Sequence, residues 1–430
     1  MRGRPQGGNR VAIGSNPERN RSHNRRVVLD VVRVHGPVGR TRIAELARLT
    51  PQAVANIVEE LVAERFLVET GRLRRGRGQP PIQFAVNPDG PVTIGVEIAA
   101  DHVTTVALDL AGGLRGHRVT PLADTIPDVV LPLVAAEIAA LEAALAGADG
   151  AGENAILGVG VVMPGPFEIE GMSSVGPTTL AGWDGIAPAK ALAEAIGRSV
   201  VVENDATAAA VGERLFGAGR HLQTFCQLYF GAGLGLGIMH EGRPYRGAFG
   251  NAGEIGHAVV APGGRPCQCG QRGCLEQYAS LQALRERLAA AGIAAPDPAA
   301  LARLHAAGDP TLAAWIAEAA AHLAPMIATL ENILDPETIV VGGALPDALT
   351  DALIAALDPL PVSVASRRAR ALPRVVRGQT GRLTAALGAA SLPVFDTLTP
   401  KLDTASAGAP VASRTPPPFT PPPEEGRLQP

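Results

Sequence analysis

Cysteine, lysine and long apolar runs are scarce in this sequence, and each scarcity narrows what the chain can be. Its 4 cysteines in 430 residues cannot supply a dense disulfide framework, so they read as thiols or metal ligands. No apolar run approaches the roughly 20 residues needed to cross a bilayer, and no membrane segment is expected. The first 26 residues are rich in Arg and Asn with no apolar stretch, so no secretory signal is expected either. The expected location is cytoplasmic. Lysine occurs only as Lys190 and Lys401, a bias toward Arg that carries no functional information.

What is present is enough to build large cores. Hydrophobic residues make up 46% and charged residues 18%, and the length suits two to four domains. Charge is divided unevenly. Residues 1–90 carry 16 Arg against 8 acidic residues, a net of +8, whereas the remainder has a net of −11. A basic head on an acidic body suggests a nucleic-acid-binding module joined to a second unit, the alternative being a solvated basic tail.

Four parts are expected. Residues 1–23 read as a flexible arm. Residues 24–88 read as a small helical unit ending in a basic, Gly/Pro-rich stretch. Residues 91–392 alternate β-like runs with Ala/Leu-rich helical stretches, an α/β pattern. Residues 396–430 read as a Pro-rich disordered tail, whose Thr415–Pro423 run has too little apolar surface to fold.

Within the second part, Val27, Val28, Val31 and Val32 have helical spacing that stops at Gly36-Pro37. A short helix follows from about Arg42 to Leu49. Thr50 then stands as a cap, with Pro51 at the first position of a third helix. Val54, Ile57, Val58 and Leu61 give that helix one apolar face, and Gln52, Ala53 and Asn56 lie opposite. Two short helices in succession, the second capped after a tight turn, predict a helix-turn-helix with Thr50, Gln52, Ala53 and Asn56 facing DNA. Strands from Phe66 and from Ile82 flank a loop bearing Arg72, Arg74, Arg75 and Arg77, which predicts a wing able to grip phosphates or a narrow minor groove. The competing reading is a three-helix protein-interaction module with a solvated hairpin.

In the body, Cys267, Cys269 and Cys274 lie within eight residues and His257 lies ten before the first. One His and three Cys make a complete tetrahedral zinc set with no open position, so a structural Zn site is expected. Cys226, alone in an apolar run, reads as a buried core thiol. Two strand-turn segments could meet a ligand: Val92–Ile98 leading into Ala99-Ala100-Asp101, and Gln227–Phe230 leading into the alternating glycines 231, 233, 235 and 237. Such glycines can cradle phosphate, but the pattern alone is weak. Leu157–Val162 leads into Met163-Pro-Gly-Pro166, and a strand from Val200 ends in Glu203-Asn204-Asp205 ahead of a helix. Asn204, Asp205, Glu254, His257 and Glu276 are the polar groups near these ends. Carboxylates suit polyols, yet each could equally be a helix cap or a solvated surface group.

Taken together, these residues resemble the ROK family (repressor, open reading frame, kinase) over roughly residues 24–391. The most specific part is Glu254-Ile-Gly-His257 followed by Cys-x-Cys-x-x-x-x-Cys-Leu-Glu276. The Pro-Gly-Pro turn, Gly182-Trp183, Asn204-Asp205, the glycine repeat and Val341-Gly342-Gly343 follow the same order. The resemblance implies a two-lobed, actin-like and hexokinase-like body with an N-terminal winged helix-turn-helix. It also implies that Asn204, Asp205, Glu254, His257 and Glu276 contact sugar, and that His257, Cys267, Cys269 and Cys274 hold Zn.

The departures from the family pattern bear on function. Family kinases carry Asp-x-Gly-Gly-Thr after the first strand, where this chain has Glu97-Ile98-Ala99-Ala100-Asp101. Two methyl groups and the Asp101 charge are expected to oppose ATP phosphates. Ala232 stands where kinases usually have Thr, and Thr179 where Asn is often found. The resulting expectation is a non-enzymatic, sugar-responsive transcriptional regulator, a homodimer or homotetramer that binds operator DNA and a monosaccharide or sugar-phosphate effector. An ATP-dependent sugar kinase retaining a DNA-binding head is the alternative, with Asp205 as base. A zinc-dependent DNA-binding scaffold with an empty cleft is a third option.

Overall fold

A computed structural model describes residues 17–72, 82–148, 156–165, 180, 182–183, 185–294, 297–365 and 370–398. The head comprises α1 (Pro17–His35), β1 (Val38–Gly39), α2 (Arg40–Ala47), α3 (Pro51–Ala63), β2 (Leu67–Arg72) and β3 (Ile82–Val86). Val28, Leu29, Val32, Ile43, Val54, Val58 and Leu61 are buried together, and β1-β3-β2 closes their open side as an antiparallel sheet. The apolar spacing read from the sequence is what these helices bury. α1 corrects one expectation: residues 17–23 belong to a helix, not to a flexible arm. Ion pairs from Arg21 to Glu60 and from Arg25 to Glu64 bind that extension to α3 and its end, and the Arg25 guanidinium lies over the Phe66 ring.

The body repeats one sheet plan. The first lobe contains β4 (Val92–Ile98), β5 (His102–Asp109), β6 (Leu114–Pro121), α4 (Pro127–Ala148), β7 (Ile156–Met163), α5 (Pro188–Ile196) and β8 (Val200–Asn204). Its strand order is β6-β5-β4-β7-β8, antiparallel on one side of β4 and parallel on the other. α6 (Asp205–Phe216) leaves this sheet. The second lobe contains β9 (Phe225–Phe230), β10 (Leu234–His240), β11 (Arg243–Pro244), α7 (Leu281–Ala290), α8 (Pro298–Ala306), α9 (Pro310–Leu334), β12 (Ile339–Gly343), α10 (Asp347–Ala356) and β13 (Val375–Arg377). Its order, β11-β10-β9-β12-β13, reproduces the first. α11 (Thr384–Leu398) packs back on β4, β7 and α6. Central strands are buried along their length, as expected where helices cover a parallel sheet.

Close approach is bought with small residues. A Cβ at Gly160 would lie 2.0 Å from the Ala389 carbonyl oxygen, so α11 can rest on β7 only over glycine. α11 also runs to Leu398, past the boundary expected at residue 392. α4 and α9 are long and apolar enough to cross a membrane by length and composition, against the expectation that nothing approached that length. Glu137 and Glu142 interrupt the α4 run and hide it from a search for unbroken apolar sequence. Both helices bury one face in the body: Val130, Val134, Ile138 and Leu141 in the first lobe, and Leu312, Trp315, Leu323 and Ile327 in the second.

Candidate functional site

The cleft residues are brought together by the ends of β8 and β7, the β9–β10 turn and two short 3-10 turns. β8 stops at Asn204 because its side chain caps α6: Asn204 Oδ1 accepts from the Ala206 and Thr207 amides at 2.9 and 3.3 Å. Asp205 Oδ1 accepts from the same Ala206 amide at 2.8 Å. The Asn204 Nδ2 group faces Gly165, where a Cβ would come within 2.9 Å of it. Gly165 therefore leaves room at the cleft wall that any side chain would take. Glu254 precedes the turn Ile255–His257, and Glu276 lies in the turn Leu275–Gln277. A single cavity is lined by Asn204, Asp205, Glu254, His257 and Glu276, so the five residues expected to act together do converge.

The electrostatics are those of a desolvated acidic cluster. Burial raises the Asp205 carboxyl to about 7, and the neighbouring Glu97 and Glu254 charges push the same way. Glu254 is raised by desolvation, with His257 opposing and Glu276 reinforcing. Burial also raises Glu97, with His102 opposing. Tyr229 is raised by burial and by Glu97 and Asp205. Glu97 and Tyr229 were not singled out from sequence as cleft groups, because they lie over 100 residues apart on different lobes. Only the fold sets both beside Asp205.

Glu97, at the end of β4, is thus an acidic group acting on Asp205. Asp101 is exposed at the tip of the β4–β5 turn, 2.6 Å from His102 Nδ1. The glycine repeat also divides. Gly231 and Gly233 form the turn, but Gly235 and Gly237 lie within β10. A Cβ at Gly235 would meet the Ala206 Cβ at 2.7 Å, and one at Gly237 the Ala206 carbonyl oxygen at 2.2 Å. These two glycines let α6 approach the sheet and do not cradle a phosphate.

His257, Cys267, Cys269 and Cys274 form one cluster, their donor atoms within 4.8 Å of one another. Cys267 Sγ lies 3.6 Å from His257 Nδ1, and Cys269 Sγ lies 3.6 Å from Cys274 Sγ. Ligands about 2.3 Å from a tetrahedral ion stand roughly 3.8 Å apart, so the donor set fits a metal ion. The loop needs its glycines: Gly273 has φ +83°, and a Cβ there would lie 1.7 Å from the Ala261 carbonyl oxygen. Glu276 touches the cluster and the cleft at once, with its Oε1 3.2 Å from Cys267 Sγ and 3.5 Å from His257 Nδ1. Cys226 is buried in the core as expected, and burial raises its thiol to about 12.

In the head, Thr50 Oγ1 accepts from the Ala53 amide at 3.3 Å, so the cap is formed. Gln52 and Asn56 are exposed and hydrogen-bonded to each other at 3.0 Å, while Ala53 is half-buried. Arg72 ends β2. Arg74, Arg75, Arg77, Pro166 and Thr179 lie outside the described residues, as do residues 1–16 and the tail from 399.

Comparison with known proteins places this geometry among relatives. Residues 93–394 match the ROK family. The chain is 26% identical over 269 residues to the xylose repressor of Bacillus subtilis strain 168, covering 62% of this chain and 67% of that protein. A ROK family transcriptional regulator, a homologue of the E. coli MLC protein, superposes with TM-score 0.69 at 24% identity, covering 88% of this chain and 98% of that one. A ROK family glucokinase from Streptomyces griseus, solved with glucose and AMPPNP, superposes with TM-score 0.57 at 27% identity, covering 70% of this chain and 98% of that one.

Proposed function

The chain belongs to the ROK family, and from that premise we propose that it is a sugar-responsive transcriptional regulator, a cytoplasmic repressor of carbohydrate-utilisation genes. A winged helix-turn-helix at residues 24–88 binds operator DNA. Gln52 and Asn56 on α3, beside Thr50 and Ala53, face base edges, and Arg72, Arg74, Arg75 and Arg77 of the wing contact phosphate or the minor groove. The body at residues 91–392 binds a monosaccharide or sugar phosphate through Asn204, Asp205, Glu254, His257 and Glu276. A homodimer or homotetramer presents paired heads to two half-sites.

The observation that carries this reading is α6. Its N-terminus bears Asn204 and Asp205 in the cleft, and its C-terminus meets the head. Arg33, buried in the last turns of α1, donates to the Leu215 carbonyl oxygen at 2.7 Å and to Asp30 at 2.6 Å. Arg220 donates back to the Arg33 carbonyl oxygen at 3.4 Å. Twelve helical residues span about 18 Å, so one rigid element reaches from ligand to head. A sugar that prefers one lobe arrangement shifts the head by its difference in affinity for the two states.

His257, Cys267, Cys269 and Cys274 hold a structural Zn ion. That ion fixes the loop between residues 257 and 274, and His257 and Glu276 are thereby set toward the sugar. The residues near the cleft disfavour catalysis with a nucleotide: Ala99 and Ala100 stand in place of glycines, and Ala232 offers no hydroxyl. Toward Gly342 and Gly343, the cavity bounded by Glu213 and Arg377 holds about 10 Å³, room for one water. Asp205 at about 7 would suit a general base, which favours sugar kinase activity as the second reading.

The test is selection of DNA from a random pool, followed by gel-shift titration with monosaccharides and sugar phosphates. The expected result is release of DNA by at least one of them. Substituting Arg75→Ala and Arg77→Ala should weaken binding and lower the salt slope by about 1 each. Selection of no DNA, or indifference of the complex to every sugar, contradicts the reading.

A further inference from the structure

A cavity of about 310 Å³ adjoins the Asp205 cleft, which itself holds about 50 Å³. The two share Gly233 and Glu276 as lining residues. The rest of the larger wall comes from Ala232, the metal loop at Arg265 and Gln268, and α7 at Gln282 and Glu286. Its floor is rigid: Ser280 is 2% exposed and caps α7 by accepting from the Ala283 amide at 3.1 Å. The Gln282 amide donates to the Ala232 carbonyl oxygen at 3.0 Å and ties α7 to the glycine turn.

The chemistry of the lining selects against an anion. Among the described lining residues Arg265 is the one cation, and its Nη1 and Nη2 donate to the Gln277 carbonyl oxygen and to Glu318, each at 2.7 Å. Its guanidinium also lies over the Tyr278 ring, 4.5 Å from the centroid. Two carboxylates, Glu276 and Glu286, face the same space, with amide side chains between them. Amides and carboxylates match hydroxyl groups, and Ala232, Pro266 and Ala283 give apolar surface for the C–H face of a ring.

We propose that this cavity is a second subsite, taking the outer ring of a neutral disaccharide whose first ring occupies the Asp205 cleft. Glu276 then touches both rings and the glycosidic link passes over Gly233. The proposal rests on the cleft being a sugar site, and its test separates the two ideas.

Calorimetry on the full chain would compare glucose, xylose and N-acetylglucosamine with cellobiose, maltose, trehalose, lactose and xylobiose. At least one disaccharide should bind tenfold or more tightly than the best of the three monosaccharides. Glu286→Trp, which fills the cavity from its exposed rim, should abolish that advantage and leave monosaccharide affinity within twofold. Gln282→Trp should do the same from the adjacent position. If monosaccharides bind and no disaccharide does better, or if the advantage survives both substitutions, the second subsite is disproved and the cleft reading stands. If no sugar of either size binds, both fail.

Discussion

The first sheet of the body has two strand ends with different chemistry, those of β8 and β4, separated only by β7. At the end of β8, Asn204 and Asp205 are held by α6 backbone amides and open into a cavity with Glu254, His257 and Glu276. At the end of β4, the chain turns through Ala99 to Asp101 with the Ala99 N–H donating to the His102 carbonyl oxygen at 3.0 Å, and no glycine loosens it. The first end converges hydrogen-bonding groups on one cavity. The second presents methyl groups and acid where a polyphosphate needs amides and positive charge. Neighbouring ends of one sheet therefore need not share a role, because binding lives in the few residues at strand ends.

The strongest way to break this contrast is to remove the metal loop from the polar side. Cys274→Ser, at a position with no exposed surface, should eliminate stoichiometric zinc, lower the melting temperature by several degrees and weaken sugar binding about 10–100-fold. Zinc analysis, thermal shift and calorimetry read the three effects. Cys226→Ala should leave zinc content unchanged, and equal loss of zinc in both variants would remove the cluster from the account.

Arg33→Ala tests whether the polar end reports to the head. Leaving the Leu215 carbonyl oxygen unpaired costs about 1–3 kcal/mol of interface stability. DNA affinity without sugar should change little, while the sugar-dependent change in DNA affinity should fall to under about fivefold. Fluorescence anisotropy with and without sugar measures it. Undiminished release would show that α6 is not the route.

The smallest effect is with pH. Asp205 accepts from a sugar hydroxyl more strongly as a carboxylate than as a carboxylic acid, and its folded value is raised to about 7 from an ordinary value near 3.8. Protonation is therefore favoured in the fold, and the free protein loses stability as pH rises from about 4 to about 7, then levels off. Sugar affinity should run the opposite way, rising from pH 6 to pH 8 by up to about tenfold per unit below 7. Calorimetry at three pH values should show this, and Asp205→Asn should flatten it. A wild-type affinity that falls across that range would contradict the assignment of Asp205 as acceptor.

Much of this is legible in the sequence. Thr50, Pro51 and the Val54–Leu61 stripe fixed α3 because capping and burial are local. The Cys-x-Cys-x-x-x-x-Cys run with His257 was readable because ligands close in sequence need only a tight loop to meet. What was hidden is non-local. Glu97 and Tyr229 become neighbours of Asp205 only when the two sheets assemble. Gly235 and Gly237 look like a phosphate turn in sequence, but Ala206 of α6 dictates them. The helical extension of α1 back to Pro17 depends on Glu60 and Glu64 of a later segment. Arg33 reads as a surface charge until Leu215, 182 residues on, supplies its acceptor.

The central claim, that this body recognises a sugar without transferring phosphate to it, is tested most directly by the rate of phosphate transfer. The measurement is turnover from Mg-ATP to whichever sugar raises the melting temperature of the full chain. The account predicts no transfer above background at saturating sugar and millimolar nucleotide. Turnover on the order of 1 s⁻¹ or faster, the range of working kinases, would contradict it.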